Sequence, residues 1–366
     1  MAYTSSMRYA NITGWGKCCP PAILDNKDLT TFLDTDEDWI HKMTGMRERR
    51  ISHVNVDELG AVAAAQALAA AGKTPADVDT IIFGSTSPDM MAPNSASGVQ
   101  KMLGCQKASA MDLNTACTSG MYGLSVATAM IRSGVVDNAL VLGAETISKF
   151  MDWEDRSVAI LFGDGAAAFY LEAGDEPNGV IGETLGCYAD VREILYVNGW
   201  GGRFANDGWV TGHTKWDFEG QEIFKRAVKG MSGAVMETLD KAGLSIDDID
   251  AVVPHQANIR IIESLGKKLG VPAEKVFVNI ERYGNMSAAT TPMALVEAIE
   301  EQHIQPGHLI MLPAFGGGLA WSAHLIRWGE RTTAIGTSDM TLPPCPKTGL
   351  EIVNDIRATR KKTNAA

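Results

Sequence analysis

Short apolar runs bounded by Gly, Pro, Asn or Asp recur along the chain and read as buried strands. They are Tyr9 to Gly16, Thr80 to Gly84, Ala108 to Leu113 and Ala139 to Gly143, and a glycine turn from Ile160 feeds another as far as Leu171. Between them the apolar positions recur every three or four residues, the spacing of a helix packed on one face. Asn26 to Phe32, Asp36 to Thr44, Leu59 to Ala71 and Met121 to Arg132 are therefore predicted helices. Their punctuation agrees: acidic residues open the second, Gly45 breaks it, and Gly72 and Gly134 stop the third and fourth. Strands alternating with helices predict an α/β fold.

The pattern then repeats. Ala71-Gly72, Asp77-Val78-Asp79 and a strand are matched by Ala242-Gly243, Asp248-Ile249-Asp250 and a strand, each 171 positions later. Met102-Leu103-Gly104 parallels Lys268-Leu269-Gly270, and Cys117 at its strand end corresponds to Gly284-Asn285 after a predicted strand Val276 to Ile280. Phe162-Gly163-Asp164-Gly165 parallels Phe315-Gly316-Gly317-Gly318, the first half carrying an insertion from Glu145 to Arg156. Four matches in one order predict two similar halves, 1–173 and 174–330, with a ligand cleft between them. Residues 174–220, rich in Gly and Trp (Gly199-Trp200-Gly201-Gly202, Trp209, Trp216), break the pattern and read as a cap over that cleft. The segment 331–366, with Pro343-Pro344-Cys345-Pro346 and a basic end from Arg357 to Lys362, reads as an extension outside the core, with a short helix from Leu350 to Ile356.

Composition narrows the classes. With 45% hydrophobic residues the chain of 366 can bury a sizeable core. A formal charge of −12 argues against a nucleic-acid binder, which needs a basic face. No apolar run approaches the roughly 18 residues of a membrane span, and Met1 to Gly16 lacks the layout of a signal peptide. Six cysteines in so long a chain make no disulfide framework, and no Cys/His spacing suits a metal. A cytoplasmic protein with reduced thiols is the expectation.

Cys117 stands at a sharp strand-to-helix junction, Asp112 to Gly123. Helix N-terminal N–H groups and the dipole there favour a thiolate, the form in which cysteine is nucleophilic. Taken alone, the stretch reads equally as a small buried cysteine. Two further loops complete a site. In Val252-Val253-Pro254-His255-Gln256-Ala257-Asn258, His255 lies just past a strand. In Arg282-Tyr283-Gly284-Asn285-Met286-Ser287-Ala288-Ala289, Asn285 opens a helix. Under the repeat, both sit at the same end of the second half as Cys117 does in the first. A lone His or Asn is usually structural; three polar groups at equivalent element ends point to chemistry.

These motifs, with Leu161-Phe162-Gly163-Asp164-Gly165-Ala166 and Phe315-Gly316-Gly317-Gly318, resemble the signatures of β-ketoacyl-acyl-carrier-protein synthase III, the initiating condensing enzyme of bacterial fatty-acid synthesis. The resemblance runs from about residue 8 to 329. It implies the thiolase-like five-layered αβαβα fold and a homodimer. It also implies an acyltransferase reaction. An acyl-CoA primer acylates Cys117, and malonyl-ACP then loses CO2 to give an enolate that attacks the acyl group. The oxyanion hole would be the N–H groups of Cys117 and Gly317. His255 and Asn285 would be neutral donors to the enolate oxygen. Neither a metal nor an organic cofactor is implied. Thiolases carry a second catalytic Cys near the last glycine turn, and Phe315 to Trp321 has none. Elongating condensing enzymes use two histidines, where this chain has Asn285. Two other readings stand beside it: a secondary-metabolism homologue that makes β-keto acids or only transfers acyl groups, and a non-catalytic partner subunit, which usually lacks the nucleophile.

Substrate contacts carry over position by position. Trp39 and Arg156 match the pair that sandwiches the CoA adenine, and Thr44 an adenine contact, while Met43 stands where arginine is common. Arg47, Ala257 and Asn258 match further CoA contacts. Lys225, Arg260, Lys267 and Lys268 match the basic patch that docks the acidic carrier protein, a local positive field on an acidic chain; ordinary solvated side chains are the plain alternative. For the acyl pocket, Ala92 replaces a phenylalanine that often closes it across the dimer. The space left by alanine implies a primer longer than acetyl; Phe162 and Phe218 are the side chains that could fill it instead.

Overall fold

The computed structural model describes residues 8–204 and 214–364. Trp209, counted above with the cap, lies outside the described residues.

The first half starts with β1 (Tyr9–Cys18), then β2 (Ala22–Asp25), α1 (Asn26–Thr30), α2 (Glu37–Thr44) and β3 (Glu48–Ile51). Next come α3 (Val56–Ala71), β4 (Thr80–Gly84), α4 (Ser95–Leu103), β5 (Ser109–Leu113), α5 (Ser119–Arg132) and β6 (Asn138–Glu145). It closes with α6 (Arg156–Ala159) and β7 (Gly165–Gly174). The second half runs β8 (Gly179–Cys187), β9 (Leu195–Asn198), β10 (Lys215–Phe218), α7 (Gly220–Ala242), β11 (Ala251–Val252) and α8 (Ile259–Leu269). It ends with α9 (Ile280–Tyr283), α10 (Thr290–Glu300), β12 (Leu309–Gly316) and β13 (Ala320–Arg327); α11 (Gly349–Asn364) follows.

The two main sheets share one strand order. The first is β1-β7-β6-β4-β5, with β4 parallel to β5 and β6 and the other pairs antiparallel. The second is β8-β13-β12-β11, with only β11–β12 parallel, and Val276 bridges in parallel to Val252 where the equivalent of β5 would stand. Local chemistry repeats too. α3 and α7 both end at left-handed glycines, Gly72 and Gly243, with φ of 66° and 68°. Thr74 with Asp77 and Ser245 with Asp248 then form matching capping boxes.

The apolar clusters define five layers. α3 and α4 pack Leu59, Ala63, Ala67 and Val99 on one face of the first sheet. The nearly all-buried α10 and the apolar face of α5, including Leu124, Ile131 and Leu295, fill the space between the two sheets. α7 and α8 cover the outer face of the second sheet with Met231, Val235 and Leu265. This is the thiolase-like αβαβα arrangement, and it stacks the polar ends of equivalent strands at one edge of the molecule.

Three expectations need correction. The strand predicted at Val276 to Ile280 is one bridge at Val276, after which Ile280 starts the short α9. The 174–220 cap is in part a core element. Residues 179–187 form β8, which pairs along β13 as β1 pairs along β7. The tail is not an appendage. Arg331 sits 5.2 Å over the Trp15 ring, Met340 and Leu342 pack on the α3 cluster, and α11, longer than predicted, seats fully buried Val353 among Leu24, Ile40 and Phe162. Among the described residues no helix is long and apolar enough to cross a membrane.

Candidate active site

Cys117 follows the end of β5 and precedes Thr118, the N-cap of α5. The turn binds itself in place. The Ser119 hydroxyl donates to the Ala116 carbonyl at 2.6 Å and accepts the Thr115 N–H at 2.8 Å. Asn114 Oδ1 accepts the Ala116 N–H at 3.0 Å. Ala116 is driven to φ 53°, a conformation costly for a side chain with Cβ and a mark of elbows that expose the next residue. The end of β12 comes up against this elbow: a Cβ on Gly316 would stand 2.7 Å from the Cys117 nitrogen, so only glycine permits the approach. It brings the Gly317 N–H to the sulfur, where it, the Cys117 N–H and the Ser287 hydroxyl all favour the thiolate.

Those donors do not prevail. Cys117 is partly exposed to the cavities around it, and its loss of solvent pushes the thiol up to about 11, against the lowering by the donors at the helix end. The dipole argument is local to one helix end; the loss of solvent comes from three elements meeting over it.

His255 is 2% exposed, and its backbone N–H donates to the Pro313 carbonyl of β12. Its Nδ1 is sealed without a partner, and the residue is on the wall of a cavity. Burial lowers its pKa to about 3, so the ring is neutral at physiological pH. Asn285 is 6% exposed and is clamped by its backbone, its N–H on the Leu161 carbonyl and its carbonyl on the Gly163 N–H. Cys117, His255 and Asn285 line one cavity of about 730 Å³, together with Trp39, Phe224 and Gly316. A second cavity, of about 620 Å³, opens on the other side of Cys117 and is lined by Ile147, Phe150, Trp216, Ser287 and Gly317. Phe162 and Leu195 line both. Among the described residues no cluster of His, Cys, Asp and Glu is placed to hold a metal.

Comparison with known proteins supplies the family. The sequence model of 3-oxoacyl-[acyl-carrier-protein] synthase III matches residues 111–189, and that of its C terminal matches residues 239–328. Beta-ketoacyl-[acyl-carrier-protein] synthase III 2 of Vibrio vulnificus strain YJ016 is 52% identical over 348 residues, spanning 94% of this chain and 95% of that protein. The chain belongs to the β-ketoacyl-acyl-carrier-protein synthase III family. The synthase III of Roseiflexus sp. strain RS-1 is 43% identical over 324 residues, 87% of this chain and 98% of that one. Among solved structures, the synthase III of Aquifex aeolicus VF5 superposes with a TM-score of 0.82 at 39% identity, over 87% of this chain and all of that one. The priming β-ketosynthase of the R1128 polyketide pathway superposes with 0.85 at 30% identity, over 90% of this chain and 99% of that one.

The other positions expected of a synthase III are distributed unevenly. Trp39 and Thr44 line the larger cavity, but the Thr44 hydroxyl already donates to the Ile40 carbonyl at 2.7 Å. Arg156 stacks directly on Trp39, 4.9 Å from its ring centroid. Asn258 caps α8 through its Oδ1 and ties down the Met43 carbonyl through its Nδ2 at 3.0 Å, and it and Ala257 both lie on the cavity wall. Arg47 is exposed and paired with Glu281 outside the cavity. Lys225 on α7 and Arg260 at the head of α8 flank the mouth, and Lys267 and Lys268 extend the exposed basic row along α8. Phe162 lines both cavities, Phe218 only the first and Trp216 only the second. Ala92 is exposed and lines neither cavity of its own chain. The sequence reading gave no role to the buried Glu145, which accepts the Thr86 hydroxyl, or to Thr86 and Ser287, which line the second cavity with Cys117. The signal for Glu145 was a carboxylate ending an otherwise apolar strand.

Proposed function

We propose that the protein starts fatty-acid synthesis by condensing an acyl group, taken from acyl-CoA, with malonyl-ACP to give 3-oxoacyl-ACP, CoA and CO2. One observation carries the reading: Cys117, His255 and Asn285, from loops of both halves, line a single cavity. In the first stage the sulfur of Cys117 attacks the primer thioester, the N–H groups of Cys117 and Gly317 receive the oxyanion, and CoA leaves. In the second, malonyl-ACP loses CO2, the enolate oxygen accepts from His255 Nε2–H and Asn285 Nδ2–H, and its carbon attacks the acyl carbonyl, releasing Cys117. Two neutral donors stabilise an enolate without protonating it, which a charged imidazole would do.

The larger cavity, with its basic mouth, suits the CoA and carrier arms. The second suits the acyl chain and far exceeds the needs of an acetyl methyl, in keeping with a primer longer than acetyl. Two copies would pair through the open edge of β5, bringing Ala92 of one toward the other. The carrier protein would dock on Lys225, Arg260, Lys267 and Lys268.

The test is a panel of acyl-CoAs from acetyl to octanoyl, with acyl-Cys117 detected by mass and CO2 measured after malonyl-ACP is added. Acylation followed by CO2 release is expected, faster with the longer primers. Acylation without CO2 would favour a simple acyl transferase, and acetyl reacting tenfold faster than octanoyl would reject the primer reading.

A further inference from the structure

The two donors assigned to the enolate, His255 and Asn285, sit on separate loops, and one buried carboxylate connects those loops. Glu297 is 2% exposed, in the run of α10 that also buries Leu295, Val296 and Ile299. Its Oε1 accepts the Lys17 ammonium of β1 at 2.8 Å and the Tyr283 hydroxyl at 2.5 Å. Its Oε2 accepts Asn279 Nδ2 at 3.0 Å and pairs with Arg282 at 2.8 Å. Two donors on each oxygen fill the acceptor sites of a carboxylate. Burial works to raise its pKa, but the bonds from Lys17 and Tyr283 hold it below the usual carboxylate range.

Each of the two neutral donors leads to one loop. Asn279 is the N-cap of α9, and its backbone N–H donates to Gln256 Oε1 at 3.1 Å. Gln256, fully buried and next to His255, donates its Nε2 to the carbonyls of Pro254 at 2.8 Å and Phe277 at 3.2 Å. The residues on either side of His255 are therefore tied to Asn279. Tyr283 ends α9 two residues before Asn285. Glu297 thus grips both ends of α9 and, through them, both loops. A buried ion pair adds little stability over apolar side chains in the same space. What the carboxylate connects explains its presence better than stability does.

We propose that Glu297 is a positioning residue that sets the placement of His255 relative to Asn285, and that only the malonyl stage depends on it. Two donors serve one enolate oxygen only when both stand about 2.7 to 3.1 Å from it, so an error of about half an ångström in their spacing is felt. The acylation stage has no such need. Its oxyanion is assigned to the N–H groups of Cys117 and Gly317, on the elbow before α5 and the turn after β12. None of the four donors to Glu297 lies on either.

The proposal rests on the reading that His255 and Asn285 receive the enolate of malonyl-ACP, so it is tested with and without that substrate. Glu297→Gln keeps the shape but replaces one acceptor oxygen with a donor. It should lower kcat for 3-oxoacyl-ACP formation about 10- to 100-fold, with KM for malonyl-ACP and the rate of Cys117 acylation each within about twofold of wild type. Tyr283→Phe cuts only the link toward Asn285 and should show the same split, which keeps the test open where Glu297→Gln fails to fold. Lys17→Met removes a charge partner but neither link; it should lower the thermal midpoint with condensation within about threefold of wild type. Both stages slowing in step in the link variants would mark a general loss of folded enzyme and overturns the proposal. So does wild-type condensation in both of them, or Lys17→Met slowing condensation as far as Tyr283→Phe. Crystal structures of the wild type and a link variant give a reading without substrate: the separation of His255 Nε2 and Asn285 Nδ2 should change by about 0.5 Å or more. An unchanged separation overturns the proposal. A wild type that releases no CO2 from malonyl-ACP, with that separation changed in the variant, keeps the strut and loses the reading of the substrate.

Discussion

The Ser287 N–H donates to Oδ1 of Asn285 at 2.8 Å, and the Thr290 hydroxyl lies on the same oxygen at 3.3 Å. With its oxygen occupied on the protein side, the amide presents Nδ2 to the cavity. Orientation here is set by a backbone donor that cannot become an acceptor. Asn285→Asp keeps the shape and replaces the cavity-facing donor with a charged acceptor. Formation of 3-oxoacyl-ACP should fall by about 10² to 10³-fold, the usual loss for one oxyanion donor, while acyl-Cys117 still accumulates. Intact-protein mass and product assay separate the two stages; a variant that also fails to acylate would show that Asn285 acts earlier.

His255 should give the folded protein an acid sensitivity that a surface histidine would not. Its pKa is depressed to about 3 against an ordinary value of 6.5. Between these pH values the unfolded chain holds a proton that the folded chain lacks, so stability is full above about 6.5 and declines as pH falls toward 3. The slope from this one group is at most about 1.4 kcal/mol per pH unit. His255→Asn should flatten that part of the decline, leaving the similar contribution of His324, lowered to about 4 by burial. Urea midpoints at about pH 7 and pH 4.5 decide it: an equal drop in both proteins removes the claim.

Much of the fold is legible in the sequence because it is local. Gly72 and Gly243 end helices since glycine alone takes the left-handed turn cheaply, and that shows in sequence as a repeat with a fixed offset. What failed was set at long range. Residues 179–187 have few strand formers and gain their conformation from pairing with β13, more than a hundred residues away. Val276 to Ile280 has the strand composition but bridges only at Val252. The helix N-terminus at Cys117 was legible; the dry surroundings that outweigh it are made by β12 and the Asn285 loop.

The tail makes its own prediction. Val353 is fully buried, and Arg357 stands 4.2 Å over the ring of Phe32 while pairing with Glu154 at 3.0 Å. α11 therefore seals the cluster that also seats Ile40 and Phe162. Val353→Ala should cost about 1 to 3 kcal/mol, and Val353→Asp more, since a carboxylate would be buried without a partner. Removing residues 349–366 should lower the thermal midpoint by several degrees. A truncated chain with an unchanged midpoint would return the tail to the status of an appendage.

Trp39 and Arg156 make the last prediction, because they stand too close for what the resemblance asks of them. The guanidinium is 4.9 Å from the ring centroid, and Arg156 Nη1 donates to the Asp34 carbonyl at 2.5 Å. A flat base between them needs two contact layers of about 3.5 Å each, so the pair must part by about 2 Å. Binding of CoA should change the fluorescence of Trp39, and a Trp39→Phe variant should lose that change. Trp39→Ala should raise KM for acyl-CoA about tenfold with kcat nearly unchanged, because the base binds equally in ground and transition states. The same primer on pantetheine alone, which has no adenine, should react alike with variant and wild type. A parallel loss with both primers would mean that Trp39 supports the fold around Ile40 rather than gripping the nucleotide.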